Sequence, residues 1–586
     1  MNRFGRFGGA AVFGVVVMCG LCARAEGPKG MEVFRPGEVK VGGEMLRRME
    51  ITAERAMALD FENLFARHFR VRKENPDVWG GFAGYGMVLD GIVKAAAHGV
   101  CGERLVEFKK KWMSDLIRTQ TADGDISIFA AGKGWWDDHE KAYILQALVL
   151  DHRYFGEVSS LEAAVKLAGY MMEHKATAQL GLDTAFVMLA EETGDKKYLE
   201  YAKVAFAEEG DMWDYNRALV VNSVGHVYTC LQRILAQVQY GRVAGVRTEA
   251  MERSEARLWE KLLKEDYMSI SGTCSGMPCA GEMWDDSQRG LGRWGETCAT
   301  AYLLRLAAEV ERRSGAAKFG DLYERALWNA FYGAQAGDGS KMRYFVPFDE
   351  CGEWYERETY CCPNNYRRMV FEVPDAVILR ATDGVVVNLY APCEVKAEGI
   401  EMKVETAYPE SGEVKIWYKD AKDAALYLRV PAWCEGATVD GKRIAAEKGW
   451  ARLAGDWKEG REVKVNLPMV PRVVKGTKSQ ENRVAVMCGP RVFGVSPEKL
   501  TDKRNYAADI IFLEAGKAME YTGKGVKVTF GVNSRNLDEM GTELVPFMDE
   551  KRTRTFFPLV EKRGIAWEDA LKGNEAISVW TKELEN

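Results

Sequence analysis

Beyond its first 25 residues this 586-residue chain has no apolar run long enough to cross a bilayer. It lacks an excess of positive charge as well: 80 Lys and Arg stand against 86 Asp and Glu, a net charge of -6. That balance argues against nucleic acid as the main partner and leaves small or neutral substrates open. No repeat of fixed period is visible, which counts against a solenoid. The opening residues do carry a signal of their own. Arg3 and Arg6 precede the apolar stretch Ala10–Leu21, and Ala23, Arg24 and Ala25 offer small residues for cleavage before Glu26. Residues 1–25 therefore read as a signal peptide, and the mature protein is expected outside the cytoplasm, periplasmic or secreted, with no membrane anchor.

The length exceeds one ordinary core, so at least two domains are expected. From about Met45 to Ala376 the apolar residues recur with helical period. Stretches such as Met87–Ala97, Arg104–Arg118, Tyr143–Val149, Ser160–His174, Ser223–Gln239 and Ala299–Arg313 are separated by short links rich in Gly or Asp. Ten or more paired helices point to a toroid of helical hairpins. After about Thr382 the pattern turns to short runs rich in Val, Tyr and Ile, including Gly412–Tyr418, Ala424–Val430 and Arg483–Met487. Val439-Asp440-Gly441-Lys442 is a hairpin signal. Residues 26–381 are thus expected as a helical domain and 382–586 as a β-sandwich region, with strands at Val526–Phe530 and Ala576–Thr581.

Two short motifs carry the chemistry. Glu296 and Cys298 stand in GETC, and Cys361 and Cys362 in YCCPNN. Three sulfurs and one carboxylate make a complete tetrahedral set for Zn²⁺, the sulfurs binding as thiolates. Such a set serves as a structural clip or as a reaction centre. Adjacent cysteines are poor disulfide partners for each other, because a bond between neighbours is strained. Gly295 and the apolar stripe from Tyr302 to Val310 place Glu296 and Cys298 at a helix start, where the backbone dipole favours negative groups. Pro363 disfavours the helical conformation at Cys362, so the cysteine pair is expected in a loop. Trp135, Trp136, Asp137, Asp138 and His139 form a polar and aromatic cluster of the kind found at a cleft lip, although such tryptophans also serve as core.

These motifs, with VVVNLYAPCEV from Val385, ALYLRVPAWCEGATVDGKRI from Ala425, QTADGD near Asp123, NSVGH at His226, LPMVPRVV from Leu467 and VAVMCGPRVFG from Val484, resemble glycoside hydrolase family 127, the β-L-arabinofuranosidase-type proteins. The resemblance runs from about residue 45 to 495 and is strongest from Glu282 to Pro490. It implies an (α/α)6 barrel followed by β-sandwich domains, and retaining hydrolysis of an oligo- or polysaccharide with a cysteine nucleophile. It implies further that Glu296, Cys298, Cys361 and Cys362 hold zinc, that Cys361 is also the nucleophile, and that Glu282 is the acid/base. Taken alone, Glu282 is a loop carboxylate with Asp285 and Asp286 as rivals nearby. His226 matches a family segment whose histidine lines the sugar pocket, and Arg368 matches a family arginine for which a structural salt bridge is expected. Trp136, Asp138 and His139 complete the expected substrate contacts.

The chain departs from the family pattern in its tail after Lys503 and at three places before it. Asn364 replaces a second proline, Tyr143 replaces a pocket histidine for which His139 could substitute, and the stretch Ser271–Gly276 differs from the usual Gly-rich run. The sugar is therefore less securely implied than the reaction. Two other readings stand beside the hydrolase: a polysaccharide lyase, which leaves GETC and CCP without a purpose, and a non-catalytic glycan-binding protein with a structural zinc.

Overall fold

The computed structural model describes residues 27–560 except 79–80, 131–135, 177–180, 205–226, 265–294, 349–351, 421–423, 445, 447, 477–479, 501–510, 533–538 and 554. The segment expected to be a signal peptide and the strand expected at Ala576–Thr581 lie outside the described residues, as do Glu282, Asp285, Asp286, His226 and Trp135.

Helices fill the first part of the chain and sheets the last. Twelve of the helices are α1 (Gly43–Met57), α2 (Tyr85–Ala97), α3 (Glu103–Ile117), α4 (Asp137–Phe155), α5 (Val158–Glu173), α6 (Leu182–Thr193), α7 (Lys196–Val204), α8 (Val227–Ala244), α9 (Glu249–Lys264), α10 (Thr297–Ser314), α11 (Lys318–Ala326) and α12 (Cys361–Val370). The even-numbered helices pack each on the next, from α2 to α12, and α12 returns to pack on α2. The odd-numbered ones lie against them: α3 on α2, α5 on α4, α7 on α6, α9 on α8, α11 on α10, and α1 on both α12 and α2. Burial follows the same division. The stripe of α3 shows Leu105, Trp112, Met113 and Leu116 to the core, whereas α2 is buried almost all round. Each fully buried leucine, such as Leu89, Leu145 or Leu304, contributes about 1.5–3 kcal/mol.

Helix α4 is much longer than the amphipathic stretch Tyr143–Val149. Its polar start is buried and internally satisfied: Asp137 pairs with Lys141 at 2.6 Å, Lys141 reaches Asp125 at 3.0 Å, and Glu140 accepts the backbone N–H groups of Gly84 and Gly86 at 2.7 and 3.1 Å. A helix buried on every side has no amphipathic period to read, which is why only its middle was legible. The closeness of α2 and α4 depends on Gly86, where a Cβ would stand 2.3 Å from the backbone nitrogen of Ile144.

Among the described residues the strands form three sheets. The first, of five strands, runs Glu32–Val33, Ile378–Ala381, Gly384–Val387, Ala425–Arg429, Trp450–Ala454. The second, of seven, runs Lys442–Arg443, Thr438–Val439, Arg461–Asn466, Glu413–Asp420, Ile400–Thr406, Cys393–Ala397, Val39–Val41. Alternate residues of both, Leu426 and Leu428 on one and Val404, Val414 and Ile416 on the other, share one hydrophobic cluster, as expected of stacked sheets. The hairpin signal holds: Val439 pairs with Lys442 across Asp440 (φ +50°) and Gly441 (φ +76°), a turn whose two positive φ angles match strand twist.

The third sheet departs from a sandwich. It curls until Phe556–Val560, parallel to Ile511–Glu514, also pairs with Arg483–Cys488, closing six strands around Val484, Phe530 and Phe557. Closure removes the exposed edges that an open sheet would leave. Glu32–Val33 and Val39–Val41 were not legible as strands, because two or three residues carry no periodicity; they join the first and second sheets. No helix among the described residues is long and apolar enough to cross a membrane.

Candidate metal centre and catalytic chamber

The two halves of the tetrad are delivered by two helix starts. Gly295, at φ +72°, turns the chain so that Glu296 is extended and caps α10. This turn is pinned to a second segment: Thr297 N–H donates to Tyr344 O at 2.9 Å, Val346 N–H to Gly295 O at 2.9 Å, and Thr297 Oγ1 to Arg343 O at 2.8 Å. Cys298 is then the second residue of α10. Cys361 and Cys362 do not sit in a loop; they are the first two residues of α12. Pro363 is accommodated because a first-turn residue has no intrahelical acceptor for its N–H, so nothing is lost by lacking one. The turn into the helix is made by Tyr360 at φ +112°, a conformation costly for a tyrosine and concentrated at functional sites.

One donor atom from each of Glu296, Cys298, Cys361 and Cys362 lies within 4.8 Å of all the others, and Cys362 Sγ is 3.8 Å from Glu296 Oε1. Glu296, Cys298 and Cys362 are 0 % exposed and Cys361 is 6 % exposed, so Cys361 alone of the three cysteines is not fully buried. Burial drives the thiols of Cys298 and Cys362 well above their ordinary pKa. The helix-start dipole expected to favour thiolates is outweighed by desolvation. Only a cation among the four donors would hold them as anions, and the donor set, converged and three-quarters sulfur, fits an ion that binds thiolates. The cluster could hold a metal ion. No described cysteine is in a disulfide.

A chain of ring contacts runs from the neighbours of Cys361. Tyr344 Oη is 3.0 Å from Cys361 Sγ, and burial raises the pKa of that phenol, so it stays protonated and able to donate. Tyr360 lies 6.2 Å from Phe82, Phe82 4.7 Å from His139, and His139 5.1 Å from Trp136 and 4.9 Å from Tyr143. Tyr143 Oη meets Tyr302 Oη at 2.8 Å, and the Tyr302 ring is 5.5 Å from Tyr228. Beneath them Arg368 is buried, 2.7 Å from Asp90 and 2.8 Å from Gln146, with its guanidinium 4.5 Å from the Tyr143 ring. Its work is structural, as expected.

The sequence-expected residues thus fall into three groups. Glu296, Cys298, Cys361 and Cys362 converge. Trp136, Asp138 and His139 stand at the start of α4, and rings link Trp136 and His139 to Tyr360, the neighbour of Cys361. His139 sits one turn before Tyr143 on the same helix, while Asp138 is 5 % exposed. Glu282 and His226 lie outside the described residues. Tyr344, Tyr360, Phe82 and Tyr302 carried no signal of their own. Asp125 of QTADGD proves structural, bonded to Arg72 and Lys141.

A family model of the β-L-arabinofuranosidase GH127 catalytic domain matches residues 79–375, and one of the GH127 middle domain matches residues 384–469. A curated relative, the non-reducing end β-L-arabinofuranosidase of Bifidobacterium longum subsp. longum, is 22 % identical over 464 residues, 65 % of this chain and 70 % of its own. A solved GH127 β-arabinofuranosidase superposes with a TM-score of 0.78 at 18 % identity, over 91 % of this chain and 98 % of its own. The GH127 β-L-arabinofuranosidase of Geobacillus stearothermophilus T6 gives 0.73 at 19 % identity, over 89 % and 100 %. Likeness at that identity speaks to the fold. With the catalytic-domain model matching half of the chain and the middle-domain model following it in order, the protein belongs to glycoside hydrolase family 127 and is a β-L-arabinofuranosidase-like glycoside hydrolase.

Proposed function

We propose that the protein is an exported, retaining glycosidase that releases β-L-arabinofuranose, or a related rare sugar, from plant-type glycans. The observation that carries the reading is the convergence of three thiols and a carboxylate, with Cys361 the one cysteine of the set that is not fully buried. The helices α2, α4, α6, α8, α10 and α12, packed in a ring, support an (α/α)6 barrel with the tetrad at one end. Export rests on the signal-like residues 1–25.

Glu296, Cys298, Cys361 and Cys362 would hold Zn²⁺, which when bound keeps the thiols deprotonated at neutral pH. Cys361 attacks the anomeric carbon as the glycosidic bond breaks, and Glu282 gives its proton to the departing oxygen. Glu282 then takes a proton from the water that cleaves the carbon–sulfur bond, so two displacements restore the original configuration. Tyr344 donates to the Cys361 sulfur and orients it. The rings of Trp136 and His139, with Asp138 and His226, would hold the sugar face; an aromatic wall suits the apolar face of a furanose.

The test is release of a chromophore from an aryl β-L-arabinofuranoside by metal-loaded enzyme, with product configuration followed by NMR. Cys361→Ser should abolish turnover. Turnover retained in that variant sinks the nucleophile assignment, and a metal-replete wild type inert on every pentoside returns the tetrad to a structural clip.

A further inference from the structure

A cavity of about 220 Å³ lies among α2, α4, α6, α8, α10 and α12, lined in part by Tyr302, Arg305, Tyr323, Gln239 and Glu372. Six basic and five acidic side chains face it. The acids are largely engaged already. Asp90 holds Arg368 at 2.7 Å, Glu309 holds Arg242 at 3.2 Å, Glu191 holds Arg153 at 3.2 Å, and Glu372 holds Lys94 at 2.5 Å and Arg305 Nε at 2.7 Å.

That pairing leaves donors in surplus. Arg305 uses Nε on Glu372, but both of its terminal nitrogens are buried without a hydrogen-bond partner among the described residues, and its side chain is only 8 % exposed. The hydroxyl of Tyr323, a residue 1 % exposed, is in the same condition. Gln239 Oε1 is the matching acceptor left over on this wall. A guanidinium cannot shed its proton to escape burial, so its free N–H groups call for an acceptor. The carboxylates of Asp90, Glu309 and Glu372 on the same walls set the valence: they repel a polyanion far more than a single negative charge.

We propose that this cavity binds one small inorganic monoanion of the chloride class, held by the two terminal nitrogens of Arg305 and the hydroxyl of Tyr323, with water filling the remainder. The site is separate from the cysteine tetrad and does not depend on its chemistry. The anion holds the Arg305 guanidinium in place 5.0 Å from the Tyr302 ring, the same ring whose hydroxyl meets Tyr143 on α4.

Thermal unfolding of the full-length, metal-loaded protein tests this, with chloride exchanged for gluconate at constant pH and ionic strength. The midpoint should rise saturably with chloride, by about 2 °C between 1 and 100 mM. Arg305→Met should lose the response, and Tyr323→Phe should raise the half-saturating concentration about tenfold. Should the arginine variant fail to fold, Tyr323→Phe still decides, together with crystals grown in bromide, which should show an anomalous peak within hydrogen-bond reach of Arg305. Equal midpoints in chloride and gluconate, an undiminished response in Tyr323→Phe, a bromide-free cavity, or phosphate outperforming chloride would each overturn the proposal.

Discussion

A thiol buried among apolar neighbours is a poor nucleophile, because burial favours the proton it must lose. Burial imposes that penalty on Cys298 and Cys362, and the four converged donors offer its remedy. Removal of bound metal by a chelator should therefore abolish hydrolysis and lower the unfolding temperature, and restoring zinc should recover both; activity that survives exhaustive chelation, with metal content measured, contradicts this. The contact between Tyr344 and Cys361 makes a second expectation. Tyr344→Phe removes a hydrogen bond to a charged sulfur, worth about 1.5–3 kcal/mol, so kcat/KM should drop roughly 10- to 100-fold with metal stoichiometry intact. An unchanged rate would make that hydroxyl a bystander. At this scale the tetrad was legible because metal chemistry restricts the residue types to a few. Tyr344 and Phe82 were not, since a tyrosine or phenylalanine in a large chain has many ordinary uses and their roles exist only through the fold.

Elements position these side chains by their ends. The tetrad joins the starts of α10 and α12, and the ring wall joins the starts of α2 and α4. Helix spacing therefore controls site geometry, and Gly86 controls one spacing. In Gly86→Ala the new Cβ meets backbone on α4 beside Tyr143, which cannot swing aside as a side chain would. Overpacking of this kind costs about 1–3 kcal/mol, and the variant should lose stability in urea and catalytic efficiency together. Wild-type activity in a destabilised variant would separate the two effects and refute the link. Amphipathic helices such as α3 and α5 were legible to within a few residues, as their one-sided burial writes a period into the chain. The fully buried α4, and the start of α12 behind Pro363, were not, because burial on all sides and first-turn tolerance of proline leave no such mark.

In the whole molecule the helices and the first sheet are sewn together by buried charge. Arg429 is 0 % exposed and reaches Glu324 at 2.8 Å and Asn388 O at 2.6 Å, while Asn388 donates to Glu311 at 2.9 Å. Burial pushes Glu311 up to about 8 from 4.5, and pushes Glu140 and Asp375 to about 7. A carboxyl whose folded pKa exceeds its unfolded value loses stability as pH rises from the unfolded value through the folded one. Stability should accordingly decline between about pH 5 and 8. Glu311→Gln should flatten that decline by up to about 1.4 kcal/mol per pH unit. Urea titrations at three pH values check this, and an identical slope in both proteins refutes it. None of these pairings was legible beforehand, since Arg429 and Glu324 stand more than a hundred residues apart and no local pattern links them.

The strand Val39–Val41 has a consequence for how the chain is made. Its partner, Cys393–Ala397, is synthesised some 350 residues later, and the entire helical ring is threaded between them. At ordinary translation speeds the early strand waits roughly 20–70 s for its neighbour. The helices, whose contacts are mostly between successive pairs, can assemble during that interval, while the second sheet cannot be completed at that edge. Synthesis order thus places the ring ahead of the sheet, and a strand made only after the ring fastens one that has been held open since before it.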